Sequence, residues 1–297
     1  MIYSQTQAAN EFGLIVEHVV QDEDLHRVPT ISKPKSNNGW YIAFNELLVM
    51  GDWQTGLTET FKQNGKSYTQ QDRLRIKQSN ELRGRKKELL QRKTARYARQ
   101  TYEAADQAAI HPYLTDKGIE CAIGLKATGS ELLVPLVNLS SGNVENLQRI
   151  FLDGNKRFLK GGRITGSCCP YGFNELSLVD LKKVPKVLIC EGYATAASLY
   201  QMTHIPVLAA MTAVNLLPVG NAIKEKWPDV EIIFAGDDDF LTEEATGINP
   251  GKSKAMEAAL LVNGKVSFPP FSLKDKRMGL TDWNDYYFAN SNKGIAL

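Results

Sequence analysis

Cysteine is scarce in this chain and wrongly spaced for a metal ribbon. The four in 297 residues are Cys121, the adjacent Cys168 and Cys169, and Cys190, and none forms a Cys-x-x-Cys pair. Neither a structural zinc site nor a disulfide framework is expected. The four histidines (His18, His26, His111, His204) show no ligand spacing either. Long apolar runs are also missing, and none approaches the roughly 20 residues that a membrane-spanning helix needs. The N-terminus MIYSQTQAANEFGLIVEHVV lacks the basic-then-apolar order of a secretory signal. A cytoplasmic protein with no membrane partner is the expectation. There is no internal repeat and no low-complexity tract. The 43% hydrophobic and 23% charged content is ordinary globular usage, which argues against wholesale disorder, collagen and coiled coil. The length allows one large domain or two to three small ones.

The net charge of +2 conceals an asymmetry. Between Lys62 and Arg99 there are 13 Lys plus Arg against 3 Asp plus Glu, a local +10, which leaves −8 on the rest of the chain. A basic block on an acidic body suggests a surface for a polyanion. Its composition, with no Pro and only Gly84 between residues 70 and 109, favours one or two long helices. Tyr97 and Tyr102 add aromatic groups. Cationic helices with stacking residues suit single-stranded DNA, and Arg85, Lys86, Arg92, Lys93, Arg96 and Arg99 are the candidate contacts. The plain alternative is a solvated charged face.

Five segments follow from these composition shifts. Residues 1–61 read as a β-rich unit, with Asn38-Gly39 as a hairpin turn entering a strand. Residues 62–110 are the basic helical segment, ending at His111-Pro112. Residues 111–183 return to strands and turns, with Ser141-Gly142 and Asp153-Gly154 each closing an apolar stretch. Residues 184–271 alternate strands (Val187–Cys190, Ile205–Ala210, Val230–Ala235, Val266–Phe268) with helices (Ala194–Met202, Asn215–Trp227, Ser253–Leu261). That grammar means βαβ units and a mostly parallel sheet. Residues 272–297 form a tail.

Functional groups of an open parallel sheet gather beyond the carboxyl ends of its strands. Two such ends are acidic here: the first strand runs into Glu191, and the third into Asp237-Asp238-Asp239. Side chains alternate in extended chain, so Asp237 and Asp239 should point one way and Asp238 the other. Glu191 beside the Asp pair would place three carboxylates within a few ångströms. Repulsion among them would be relieved by a hard divalent cation, Mg²⁺ or Mn²⁺, in a site suited to phosphoryl transfer. The same acids could instead cap helices or face water.

EGYATAASL after an apolar strand, then IPVLAA, IIFAGDDD and NPGKSKAMEAA, resembles the Toprim domain. More narrowly, the chain resembles the Toprim DNA primases of bacteriophages and plasmids. The likeness extends upstream through LLVPLVNLSSGNVENLQRIFLDGNKRFLKGGRITG, downstream to LTDWNDYY, and to HRVPT, NNGWYIAF and GDWQTG near the N-terminus. It implies an α/β fold: a Rossmann-like Toprim sheet joined to a mixed α/β primase subdomain. It also implies roles for individual residues. Glu191 would be a metal ligand or general acid/base, and Asp237 and Asp239 Mg²⁺ ligands at a two-metal site. Asp238 would support them. Asp282 and Asp285 resemble the downstream acidic motif, and one of them, Asp282 in the first instance, would lie near the metal. The alternative for TDWND is a helix N-cap. Lys156, Arg157, Lys160 and Arg163, around a Gly pair, would contact the nucleoside triphosphate or template, because a triphosphate flanked by acids needs counter-cations. The alternative is an ordinary solvated hairpin.

Gly247 to Ser253 imitates a Walker A loop, but three residues separate its glycines where four are required. The segment reads better as a helix start after Pro250 whose amides, with Lys252 and Lys254, could hold a phosphate. The expected function is DNA-dependent RNA primer synthesis on single-stranded DNA from nucleoside triphosphates. Lacking helicase motifs, the chain would work with a separate replicative helicase, and both a freestanding primase and a piece of a larger replication protein are compatible with the sequence. Two alternatives remain: a Toprim nuclease using the same acids, and a non-catalytic single-strand binding module.

Overall fold

The computed structural model describes residues 4–63, 69–108, 110–119, 124–173 and 178–291. Cys121 lies outside the described residues. Two compact units divide the chain, residues 1–88 and 89–297. The division falls inside the basic segment expected over 62–110, within a single helix, α2 (Gln70–Ala104).

The first unit opens with α1 (Gln5–Phe12), started by a reciprocal capping box between Ser4 and Gln7 and stopped by Gly13 at φ 104°. Four antiparallel strands follow in spatial order: β1 (His26–Val28), β2 (Gly39–Ala43), β3 (Leu47–Asp52) and β4 (Thr58–Lys62). One face of this sheet, with Tyr41, Ala43, Leu48 and Met50, packs on Ala8, Ala9 and Leu14. On the other face Ile42 and Leu47, with Phe44 just beyond β2, pack against Ile76 of α2. Asn38-Gly39 is not a two-residue hairpin turn. Gly39 is already in register with Val28 and Asp52. A Cβ there would lie 2.5 Å from Leu14 Cδ2, so glycine is needed for close packing. The start of α2 is capped by Thr69 and Asp72, and Asp72 is ion-paired with Lys62.

In the second unit, α2 buries Thr94, Ala95, Ala98 and Tyr102 along one stripe at helical spacing. The strands are β5 (Asp106–Gln107), β6 (Lys126–Thr128), β7 (Glu131–Asn138), β8 (Val144–Ile150), β9 (Lys156–Phe158), β10 (Ser167–Tyr171), β11 (Lys186–Cys190), β12 (Val207–Ala209), β13 (Glu231–Ala235) and β14 (Lys265–Ser267). Among the described residues they make one sheet, in order β14-β13-β11-β12-β10-β7-β6-β5, with β8 on β7 and β9 on β8. The helices are α3 (Pro112–Asp116), α4 (Tyr193–Thr203), α5 (Leu216–Lys226), α6 (Phe240–Thr246), α7 (Pro250–Val262), α8 (Leu273–Arg277) and α9 (Trp283–Ser291).

The four strands β11 to β14 are parallel, as the βαβ grammar predicts, and β10 joins them antiparallel to β12, carrying the sheet on into β7. Alternation along β11 sorts the core. Leu188 and Cys190 face α4, with Tyr193, Ala196 and Leu199. Val187 and Ile189 face α5 and α7, with Val219, Ile223 and Val262. The small residues of α4 (Ala194, Ala196, Ala197, Ser198) are all buried and allow close approach to the sheet. The two turns marked by glycine are present, with Gly142 at φ 71° and Gly154 at φ 79°. Sequence periodicity did not disclose α6, a seven-residue helix with no buried residue.

Candidate active site

Strands β11 and β13 pair parallel with Cys190 opposite Ala235, so Glu191 and the Asp237-Asp238-Asp239 loop leave neighbouring strands on the same edge. This is the carboxyl-end position expected for chemistry in an open parallel sheet. Asp282 arrives from the start of α9, where its Oδ1 accepts the Asp285 N–H at 2.8 Å, and the Asp285 carboxylate accepts the Thr281 N–H at 2.9 Å. Asp282 Oδ2 also accepts from Thr195 Oγ1 of α4 at 3.2 Å. Capping and site position therefore coincide in one residue. Asn284 fixes α9 on α4, donating to Ser198 Oγ at 2.9 Å and the Lys117 carbonyl at 2.8 Å.

The acids feel one another. Burial, then Asp282, Glu191, Asp239 and Asp285, pushes the Asp237 carboxyl up to about 8. Burial and Asp239 raise Glu191, against the Ala213 N–H and Lys156. Burial and Asp285 raise Asp282, against the Asp285 N–H, Lys117 and Thr195. Asp238 turns away, as alternation predicts. It is 1% exposed, and its oxygens contact Lys252 Nζ at 2.7 Å and Lys276 Nζ at 2.8 Å. Burial opposes its ionisation, but the two lysines and the Asn249 amide outweigh it and keep its pKa low.

Four carboxylates offer only hard oxygen donors, which suits Mg²⁺ or Mn²⁺, and Asp237 Oδ1 is buried with no hydrogen-bond partner. The donor chemistry fits such an ion. The close convergence expected of Glu191, Asp237 and Asp239 is nevertheless not formed: among the described residues no three acidic, His or Cys side chains stand as a ready ligand group. Separate partners hold the acids. Asp239 Oδ2 takes the Gly251 N–H at 2.8 Å, while Asp282 is shared between Thr195 and Asp285. The site is an electrostatically coupled set of carboxylates rather than a closed cage.

Lys156, at the start of β9, reaches this set. Its ammonium lies 4.9 Å from the centre of the Tyr113 ring. Crowding lowers its pKa, and Asp282 and Glu191 act in the opposite direction. By surface area Lys156 is exposed, as is Arg157, which pairs with Arg149 in the strand register; Lys160 is exposed with its carbonyl accepting from Thr94 Oγ1, and Arg163 is half-buried. Lys252, expected to meet a phosphate, instead has its ammonium on Asp238. The amides at the start of α7 are used as well: Gly251 N–H meets Asp239, Lys252 N–H meets Asn249 Oδ1, and Lys254 pairs with Glu257. The Asn249-Pro250-Gly251 turn thus braces the aspartate loop. A Cβ on Gly251 would lie 2.7 Å from the Asp237 carbonyl oxygen.

Sequence reasoning assigned no role to Tyr113, Thr195, Asn249 or Lys276. Thr195 and Asn249 lie within the EGYATAASL and NPGKSKAMEAA motifs, whereas no motif marked Tyr113 or Lys276, whose contacts with Lys156 and Asp238 appear only in the fold. In the basic helix, Arg85 and Lys86 (first unit) and Arg92, Lys93 and Arg96 (second unit) are exposed. Lys86 lies 3.6 Å from Asp24. Arg99 differs, donating to the Val144 carbonyl at 3.0 Å. Tyr102 is buried with its hydroxyl on the Gly124 carbonyl at 2.6 Å, so it cannot stack on a base, while Tyr97 is 56% exposed.

Residues 186–293 match the Toprim domain, and the parallel sheet with its acidic edge is therefore a Toprim unit within an α/β chain. The chain is 30% identical over 282 residues to a DNA primase TraC of Escherichia coli, covering 90% of this chain and 26% of that protein. A second Escherichia coli DNA primase TraC is 32% identical over 267 residues, covering 86% and 18% respectively. The chain is thus similar, over most of its own length, to two DNA primases, although it spans about a quarter or less of these curated relatives. A solved DnaG primase catalytic domain bound to single-stranded DNA is 13% identical with a TM-score of 0.41, covering 68% of this chain and 83% of that one. Among the described residues no helix is long and apolar enough to cross a membrane.

Proposed function

We propose that the chain is a DNA-dependent RNA primase, a nucleotidyltransferase that makes short primers on single-stranded DNA from nucleoside triphosphates in plasmid or phage replication. The observation that carries this reading is the acidic edge of the Toprim sheet, where Glu191 and the Asp237-Asp238-Asp239 loop leave neighbouring parallel strands, in a chain similar to DNA primases over most of its length. A triphosphate bound at such acids needs cations on its other side, and Lys156, whose charge Glu191 and Asp282 favour, is the candidate. Divalent ions held by Glu191, Asp237 and Asp239 would neutralise charge at the α-phosphate during attack by a 3′-hydroxyl. Lys156, with Arg157 and Arg163 nearby in sequence, holds phosphate oxygens. The Thr195 hydroxyl and the Asn249-Gly251 turn fix the orientation of Asp282 and Asp239. The exposed cations of the basic helix take the template backbone, and strand separation falls to a separate helicase.

The test is primer synthesis on a single-stranded template with radiolabelled nucleotides and Mg²⁺ or Mn²⁺. Labelled oligomers from the wild type, and none from Asp237→Ala with DNA binding retained, are expected. Synthesis undiminished in Asp237→Ala sinks the assignment, and cleavage of DNA without nucleotides replaces it with a nuclease.

A further inference from the structure

We propose that the exposed part of the N-terminal sheet is a stacking platform for single-stranded nucleic acid, built on Trp53, Trp40 and Arg27. It uses none of the acids at the Toprim edge and stands whether or not that edge polymerises. Arg27, Trp40, Gly51 and Thr58 form one row across β1 to β4. Gly51 has no side chain, and a Cβ there would lie 2.6 Å from the Trp40 ring, so the indole lies flat across the strand. Trp53 tilts over Trp40 with ring centres 6.0 Å apart and planes 30° apart. The Arg27 guanidinium lies 4.7 Å from the centre of the Trp53 ring.

Two consecutive carbonyls set this geometry. Asn37 accepts from Arg27 at 2.9 Å, and Asn38 accepts from the Trp53 N–H at 3.1 Å. Trp53 is nonetheless 49% exposed, in a stretch from Trp53 to Thr60 that faces solvent throughout. A large aromatic held in place and left open is organised for a planar guest. The charge on the ring narrows the guest. Arg27 sets its guanidinium on the Trp53 ring, and a base can stack on an indole while a guanidinium meets its phosphate. A proline-rich peptide would use the indoles but gain nothing from the guanidinium.

The test uses the full chain and a fluorescein-labelled dT20, read by anisotropy and by quenching of tryptophan emission. The oligonucleotide is expected to quench emission, and Trp53→Ala to weaken binding by about tenfold at fixed salt, the scale of losing one base–aromatic stack. Trp53→Phe, which keeps a stacking ring, restores affinity but loses part of the quench. Arg27→Gln weakens binding and lessens its salt dependence. Unchanged affinity in both Trp53→Ala and Arg27→Gln overturns the platform, as does quenching by a proline-rich peptide and not by dT20. Because Asp237→Ala leaves Trp53 untouched, loss of synthesis with normal quenching speaks only to the catalytic reading. Normal synthesis with no quenching speaks only against this one.

Discussion

Lys276 Nζ lies 2.8 Å from Asp238 Oδ2, and Lys252 Nζ holds the other oxygen at 2.7 Å, so the middle of three consecutive aspartates belongs to the scaffold. Its neighbours on either side belong to the acidic edge. Opposite mutational signs follow for adjacent residues.

Asp238→Asn should destabilise the protein by about 3 kcal/mol, since it strips a buried carboxylate from two ammonium groups. The sign with pH is fixed by the lowered folded-state pKa. The carboxylate contributes stability above its unfolded value near 3.8 and loses it as pH falls through the folded value. Thermal melts should therefore show a deficit at pH 7 that shrinks below about pH 4. A constant deficit at all pH values would assign the loss to packing instead.

Asp237→Asn should do the reverse in protein freed of divalent ions. Its carboxyl titrates at about 8 in the folded chain, so the folded state keeps a proton that the unfolded state has already released. Stability then falls as pH rises from about 4 to 8, and the amide removes that penalty. Melts at pH 8 should rise by about 2–5 °C, with a smaller gain at pH 5. Mn²⁺ should raise the melting temperature of the wild type more than that of the variant. A variant that melts lower than wild type at pH 8 contradicts the repulsion among these acids.

Gly251→Ala tests the brace. Its Cβ would lie 2.7 Å from the Asp237 carbonyl oxygen and 3.0 Å from Asp239 Oδ2, so the aspartate loop has to move. Overpacking of this kind costs about 1–3 kcal/mol. Primer synthesis should drop by at least tenfold while oligonucleotide affinity is kept. Synthesis at the wild-type level would show that the loop tolerates displacement.

Much of this architecture is legible in the chain. The apolar runs before Glu191 and Asp237 gave β11 and β13, and their parallel pairing follows from the intervening helices. The place of the acids followed from the strand ends, and the turn of Asp238 away from its two neighbours followed from alternation. What stayed hidden depends on distant pairing. Nothing local in SCCPY says that β10 crosses from the parallel strands to β7, because a buried strand on either side reads as the same apolar run. The contact of Lys252 stays hidden for a similar reason: a lysine at a helix start resembles a phosphate ligand until Asp238 is seen beside it. Tyr102, an aromatic in a basic run, was equally ambiguous until its hydroxyl was found on the Gly124 carbonyl.

The basic helix separates two kinds of arginine. Arg96 is exposed, whereas Arg99, three residues on, donates to the Val144 carbonyl and lies 3.9 Å from Glu145. If the exposed face binds a single strand, Arg96→Gln should leave the melting temperature unchanged and weaken oligonucleotide binding. The slope of log affinity against log salt should fall by about 0.7, the contribution of one phosphate contact to a single strand. Arg99→Gln should instead lower the melting temperature, since it removes a charged donor from a carbonyl it satisfies, and should leave the slope nearly unaltered. Titrating labelled dT20 at several salt concentrations, beside melts of both variants, measures all four quantities. If Arg96→Gln and Arg99→Gln change the slope equally, exposure does not select the residues that meet the template, and the helix acts as a diffuse cationic surface.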